Sequence, residues 1–178
     1  MPEAAILATD AGLVPAGEGW FVLNLLAAAW ERKGEFGVRC RVEAPDARFP
    51  WFGISMHMLE PGQPNALYHA EETQEGFLVL AGKCLAIVEG RERELRQWDY
   101  FHSPPNTPHV IVGAGEEPCV LVMIGAPRTA SLAEMDYPEN EIAARFGASV
   151  SRSTNPSREA YADRRGDGVP EPAPGPLR

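Results

Sequence analysis

The chain is poor in cysteine, in basic charge and in long apolar runs, and each shortage removes a class of protein. Its three cysteines, Cys40, Cys84 and Cys119, are isolated and show no Cys-x-x-Cys spacing. An odd count set in aliphatic runs reads as buried free thiols in a reducing compartment, which points to the cytoplasm rather than a disulfide scaffold. Lysine and arginine number 16 against 25 acidic residues, a formal charge of −9. That balance argues against nucleic-acid phosphates and anionic membranes as partners. The longest apolar stretch, residues 20–30, is interrupted by Asn24 and is too short to span a bilayer. The first ten residues carry Glu3 and Asp10 but no basic region, so no secretory signal is expected. Gly113-Ala-Gly115 has no strand–loop–helix context and no following Gly-Lys-Ser/Thr, and no serine sits in a nucleophile elbow, which disfavours phosphate-loop and triad chemistry.

At 178 residues, with 44% hydrophobic and 23% charged side chains, the chain is one domain's worth of globular protein. Short β-prone runs follow one another, broken by glycine and proline: residues 20–24, 38–43, 52–59, 77–80, 84–88, 92–98, 109–112 and 119–124. Residues 25–33 are ambiguous between helix and edge strand. Glu89-Gly90-Arg91 makes a tight hairpin and residues 113–118 join two more strands. This pattern predicts an all-β sandwich or barrel rather than an α/β sheet. After Pro127 the character changes. Residues 137–147 read as a helix with proline and acids in its first turn and Gly147 as its stop, and residues 155–161 as a second. The expected organisation is a loose arm over 1–19, a β-barrel over 20–127, a short helical segment packing on it over 128–165, and a disordered Pro/Gly-rich tail over 166–178. No internal repeat is visible.

The most informative residues are two polar clusters between 62 and 113. The first holds His69, Glu71, Glu72 and Glu75 just before the apolar run that ends at Gly82; the second runs from Trp98 through Pro104 and Asn106 to His109. Alternation along a strand puts His69 and Glu71 on one face. Glu75 has the same parity, although a turn at residues 72–74 prevents parity alone from placing it. His109 lies on a later strand that a barrel can bring opposite. Two imidazoles and two carboxylates suit Zn, Mn, Fe, Ni or Co.

The spacing of these clusters resembles the two motifs of the cupin superfamily. The first motif falls on His69, Glu71, Glu75 and the closing Gly82, the second on Pro104 and His109. Glu71 stands where many members carry a second histidine. Trp98 replaces the second motif's first glycine, Asn106 its internal glycine and Gly113 its asparagine. Asn106 tolerates a left-handed backbone, whereas Trp98 is not expected to adopt a positive φ cheaply.

The resemblance implies a single-domain cupin: a double-stranded β-helix, or jelly-roll barrel, with short C-terminal helices. It further implies one divalent transition metal (Zn, Mn, Fe or Ni) held by His69, Glu71, Glu75 and His109. The function expected is a metal-dependent enzyme on a small organic substrate, of oxygenase, isomerase or decarboxylase type, with Glu75 or Glu71 as general base. The alternative is a non-catalytic cupin that binds a metabolite or sugar in the barrel. Phe77, Val79, Ile111 and Leu121 are expected to line the pocket, His57 to face either pocket or exterior, His102 to lie at the surface, and Tyr68 to face away from the metal. Glu72 is the alternative acid. A homodimer is also implied, since residues 20–30 offer apolar material that one small barrel does not cover.

Overall fold

In a computed structural model, which describes residues 1–126, 135–164 and 168–175, β-sheet dominates and every paired strand runs antiparallel to its neighbour. One sheet carries, in spatial order, β10 (Tyr100–Ser103), β7 (Glu75–Ala81), β12 (Cys119–Gly125), β5 (Gly53–Leu59), β4 (Val38–Arg41), β3 (Trp30–Arg32) and β14 (Val169–Glu171). A second carries β11 (His109–Ala114), β8 (Lys83–Val88) and β9 (Arg91–Arg96). The two sheets face each other across a core of Leu59, Phe77, Val79, Cys84, Ala86, Ile111, Cys119 and Leu121. That is the jelly-roll arrangement, with inward positions alternating along each strand. The inward set on β7 is Glu75, Phe77, Val79 and Ala81, all of one parity, so a polar group sits at the lip of an apolar wall.

The turns follow from the sequence where a positive φ is needed. Gly82 (φ +69°) joins β7 to β8, and the two-residue loop of Glu89 (φ +47°) and Gly90 (φ +70°) joins β8 to β9. Gly113 is required for a different reason: a Cβ there would run into the backbone carbonyl of Glu60. Trp98 departs from expectation. It takes φ +72° in the turn between β9 and β10 and remains 70% exposed. Its N–H donates to the Val79 carbonyl at 2.9 Å, and the Asp99 carboxylate accepts from Arg96 N at 2.9 Å. These bonds fix the turn against a left-handed cost of roughly 1–2 kcal/mol for a non-glycine residue.

Several elements differ from the sequence expectation. Residues 1–19 are not a loose arm: β1 (Ala5–Thr9) and β2 (Gly12–Ala16) form a hairpin. Residues 20–24 make no strand; Trp20 contributes a single bridge to Glu3. The ambiguous stretch resolves as a turn followed by β3, whose Trp30 anchors a second core with Val38, Cys40 and Ala173 on the outer face of the sheet. Part of the tail expected to be disordered is strand β14, tied to β3 by the Arg32–Glu171 ion pair (2.6 Å). β10 was not read from the sequence at all, since Tyr100-Phe-His-Ser is short and follows a turn. The barrel boundary at Pro127 and the start of the C-terminal segment, residues 128–134, lie outside the described residues, as do 165–167 and 176–178.

Ahead of the helices, the described part of the C-terminal segment holds a strand: β13 (Met135–Asp136) pairs with β6 (Ala70–Glu71). The two helices are shorter than read, α1 (Glu141–Ala144) and α2 (Ser157–Ala160). Asn140 caps α1 by accepting from Ile142 N and Ala143 N at 3.0 and 2.9 Å. Ile142 and Phe146 pack on Tyr68, Ile87, Val110 and Val112 at the back of the smaller sheet. No helix among the described residues is long and apolar enough to cross a membrane.

Candidate metal centre

His69 and His109 stand directly opposite each other in an antiparallel bridge, exchanging both backbone hydrogen bonds (3.1 and 2.9 Å). The strand entering β6 therefore pairs with the first residue of β11, and the two imidazoles project from one face with ring centroids 5.3 Å apart. Glu75, the first residue of β7, reaches them from the facing sheet. One ligand atom from each of His69, Glu75 and His109 lies within 4.8 Å of the other two. Glu71 is adjacent but outside this compact set, its Oε1 at 3.5 Å from His69 Nε2.

The ring orientations are set by the backbone. His109 Nδ1 donates to the Thr107 carbonyl at 2.9 Å, with Ser103 Oγ at 3.2 Å, and His69 Nδ1 donates to the Leu67 carbonyl at 2.6 Å. A carbonyl can only accept, so each Nδ1 carries a hydrogen and each Nε2 of a neutral ring presents a lone pair to the centre. His109 Nε2 lies 3.2 Å from Glu75 Oε2, and both atoms are buried without a hydrogen-bond partner. Two lone pairs at that distance repel. A cation resolves the conflict, either a proton on the imidazole or a metal ion between the groups. Anchoring Nδ1–H on a backbone carbonyl is how proteins orient metal-binding histidines, so these residues fit a divalent metal.

The surroundings sharpen this. Phe77 and Phe101 pack edge-on against the His109 ring (5.1 and 5.7 Å), and Tyr137 lies 5.8 Å from the His69 ring. Burial works to depress the pKa of His69. The hydrogen bond to Glu71 and the charges of Glu75 and Glu71 outweigh it, so the net shift is upward. Asn106, at φ +60°, donates from its N–H to the Glu71 carbonyl at 2.6 Å and ties the second motif's loop to the first motif's strand.

The centre opens onto a cavity of about 740 Å³. Glu71, Glu75 and His69 line one side, and Arg39, Arg41, Ser55 and His57 another. Tyr137 and Tyr161 of the C-terminal segment line it as well, and Tyr161 Oη accepts from Leu67 N at 3.0 Å. Phe77, Val79, Ile111 and Leu121 do not line it. They are 0–1% exposed and form the closed core. His57 faces inward, His102 and Glu72 are exposed, and Tyr68 is buried on the far side of its strand, its Oη accepting from Gly90 N at 3.2 Å. The two arginines and two tyrosines were missed. Val38-Arg-Cys-Arg alternates, but alternation alone does not say that the arginine face meets the cavity rather than solvent.

Residues 55–125 match the cupin domain family. The chain carries a cupin domain. No curated protein matches the chain in sequence. Among solved structures, it is similar to the polyketide cyclase RemF from Streptomyces resistomycificus (16% identity over 54% of this chain and 68% of that one, TM-score 0.47). It is similar also to an RmlC-like cupin from Shewanella frigidimarina (19%, over 57% and 86%, TM-score 0.48). A third is KdgF from Halomonas sp. (21%, over 56% and 88%, TM-score 0.47). The matching stretch of this cupin includes His57, His69, Glu71, Glu75 and His109, so the candidate centre lies wholly within it.

Proposed function

We propose that this cupin is a divalent-metal-dependent enzyme acting on a small organic substrate, of oxygenase, isomerase or decarboxylase type. The observation that carries the reading is the pair of buried, unpartnered atoms, His109 Nε2 and Glu75 Oε2, facing each other at 3.2 Å beside a second oriented imidazole. Two histidines and one carboxylate suit Zn, Mn, Fe or Ni and leave coordination positions open. His69, Glu75 and His109 would hold the ion, which when bound supplies Lewis acidity toward a substrate oxygen. Glu71 is then the residue placed to move a proton: its carboxylate lies at the edge of the group and lines the cavity. Tyr137 and Tyr161 line the same cavity.

Elemental analysis of protein purified without added metal tests this. About one divalent ion per chain is expected, and His69→Ala and His109→Ala should each lose most of it. Unchanged metal content in both variants would overturn the assignment. Metal binding without turnover on a panel of keto acids, enediols and oxygenase substrates would favour the non-catalytic reading.

Two copies are proposed to pair through exposed aromatic surface. Trp20 is 55% and Trp51 85% exposed beside a cluster of Phe21, Phe49 and Phe52. Three buried free thiols, Cys40, Cys84 and Cys119, fit a reducing compartment such as the cytoplasm.

A further inference from the structure

The cavity has a polarity that the metal centre does not explain. The chain as a whole is acidic, yet the cavity lining reverses the sign. Lys33, Arg39, Arg41, Arg48 and Arg164 face it against the carboxylates of Glu43, Glu71 and Glu75. The charges are also segregated. Glu71 and Glu75 belong to the metal side, whereas Arg39 and Arg41 project from β4, with Lys33 and Arg48 on the flanking loops, where Glu43, 3.8 Å from Arg48, is the one carboxylate of the cavity lining on that side.

Strand register fixes the spacing. Arg39 pairs with His57 and Arg41 with Ser55 on β5, and β5 continues through β12 to β7, where Glu75 sits. β4 and β7 are three strand spacings apart, about 14 Å along the sheet. Long side chains reach back across that gap from both ends, which leaves room for a ligand of a few carbons. The arginines are held from behind. Glu31 on β3 is the register partner of Arg39 and contacts the Nε of both Arg39 and Arg41, the latter at 3.7 Å. Guanidinium groups fixed in this way present a planar fork that matches carboxylate and phosphate oxygens.

His57 supplies an independent observation. It lines the cavity and is 7% exposed; Ser55 Oγ lies 3.0 Å from its Nε2, and its Nδ1 has no hydrogen-bond partner. Burial, reinforced by the charges of Arg39, Arg41 and Lys33, lowers its pKa to about 3, so the ring stays neutral among cations. A buried polar group without a partner costs about 1–3 kcal/mol, which a ligand's oxygen or hydroxyl can offset.

We propose that the β4–β5 wall, Arg39, Arg41 and His57, is an oxyanion subsite that anchors the carboxylate or phosphate of a small organic acid, so that the rest of the molecule points at His69, Glu75 and His109. The orientation rests on the proposed metal-dependent function; the anion subsite itself does not need the ion. The wall selects small anionic substrates over neutral sugars.

Calorimetric titration of metal-free protein with malonate and with inorganic phosphate tests it. Wild type is expected to bind at least one probe in the millimolar range or tighter. Arg41→Gln should weaken that binding about tenfold or more, and Arg41→Lys, which keeps the charge but loses the fork, by less. Preference for malonate assigns a carboxylate, and preference for phosphate a phosphate ester. Arg93→Gln, at an exposed arginine of β9 outside the cavity, should leave metal-free anion binding within about twofold. No binding of either probe, or binding unchanged in a folded Arg41→Gln, would overturn the subsite. Arg41-dependent binding by a wild type that takes up no metal would keep the subsite and sink the metal-dependent function. Metal uptake with Arg41-independent binding would do the reverse.

Discussion

Adding and removing metal should change the stability of this cupin in a way that depends on pH, and with opposite signs in the two states. One group of three candidate ligands among the described residues implies one site there. A ligand at 100 times its Kd stabilises the folded state by about 2.7 kcal/mol. For a chain of this size that corresponds to a rise in Tm of roughly 5–11 °C, at 2–4 °C per kcal/mol. In metal-free protein the centre relies on a proton instead. The pKa of His69 is raised on folding, so its contribution to stability is fully present below its unfolded value of about 6.5 and is lost as pH rises through the folded value. The slope has a ceiling of about 1.4 kcal/mol per pH unit for each proton. Metal competes for the same Nε2, so its increment grows as pH rises through that region and fades below it. Scanning calorimetry in chelator and in excess Mn or Zn, from about pH 5.5 to 8.5, reads both trends. His109→Ala should collapse the difference between chelator and metal at every pH. A wild-type Tm indifferent to metal throughout, or an increment that survives in His109→Ala, would show that the facing Glu75 and His109 form only a proton-bridged pair.

Three further outcomes are expected. Gly113→Ala should destabilise by roughly 1–3 kcal/mol in urea unfolding, because its Cβ meets the Glu60 carbonyl, which is backbone and cannot turn aside; no loss would mean that the crossing is looser than described. Tyr161→Phe removes the acceptor for Leu67 N, two residues before His69, and should cost about 1–3 kcal/mol and weaken metal binding; unchanged metal affinity would detach the C-terminal segment from the site. Light scattering at micromolar concentration should give twice the chain mass, falling to the monomer in Trp51→Glu; a wild-type monomer would refute pairing.

Most strands that build the barrel were legible because they are short apolar, often β-branched runs closed by glycine or proline, while β9, Arg-Glu-Arg-Glu-Leu-Arg, was legible from the tight hairpin at Glu89-Gly90 that precedes it. β5, β7, β8, β9, β11 and β12 lie within one or two residues of their sequence bounds. Elements whose identity depends on a distant partner were not legible. β14 is Val-Pro-Glu in a proline-rich tail and is strand because β3 offers an edge; its Pro170 is tolerable on an outermost strand. The N-terminal hairpin is similar, since β1 and β2 pair with each other and their alanines and proline give little propensity. Trp98 shows the limit of residue preference. Its cost in the left-handed region is of the order of one good hydrogen bond, and three backbone bonds (Trp98 N to Val79 O, Val79 N to Asp99 O, Asp99 N to Arg96 O) and a carboxylate hold the turn.

The candidate centre divides in the same way. His69, Glu75 and His109 could be picked out, together with Glu71, because imidazoles and carboxylates at the lip of apolar runs are costly unless something pairs them, and because their spacing resembles the cupin motifs. The arginines of β4 carried an equally regular signal, which by itself assigns them to neither face. Alternation distinguishes two faces but does not say which is inside. The usual inference, apolar in and polar out, holds for a sheet with one covered face. Here Leu23, Leu25, Ala28 and Ala173 pack on the outer face of β3 and β4, so Val38 and Cys40 are buried outside the barrel while Arg39 and Arg41 face its interior. With both faces covered, the polar side is the one that meets the cavity. The same layering explains His57, whose strand neighbours Met56 and Met58 belong to the outer face. A strand that alternates arginine with valine and cysteine beside a metal-type cluster is therefore evidence for a charged interior wall once a further layer lies outside it, and that layer comes from segments whose own sequences give the weakest signal in the chain.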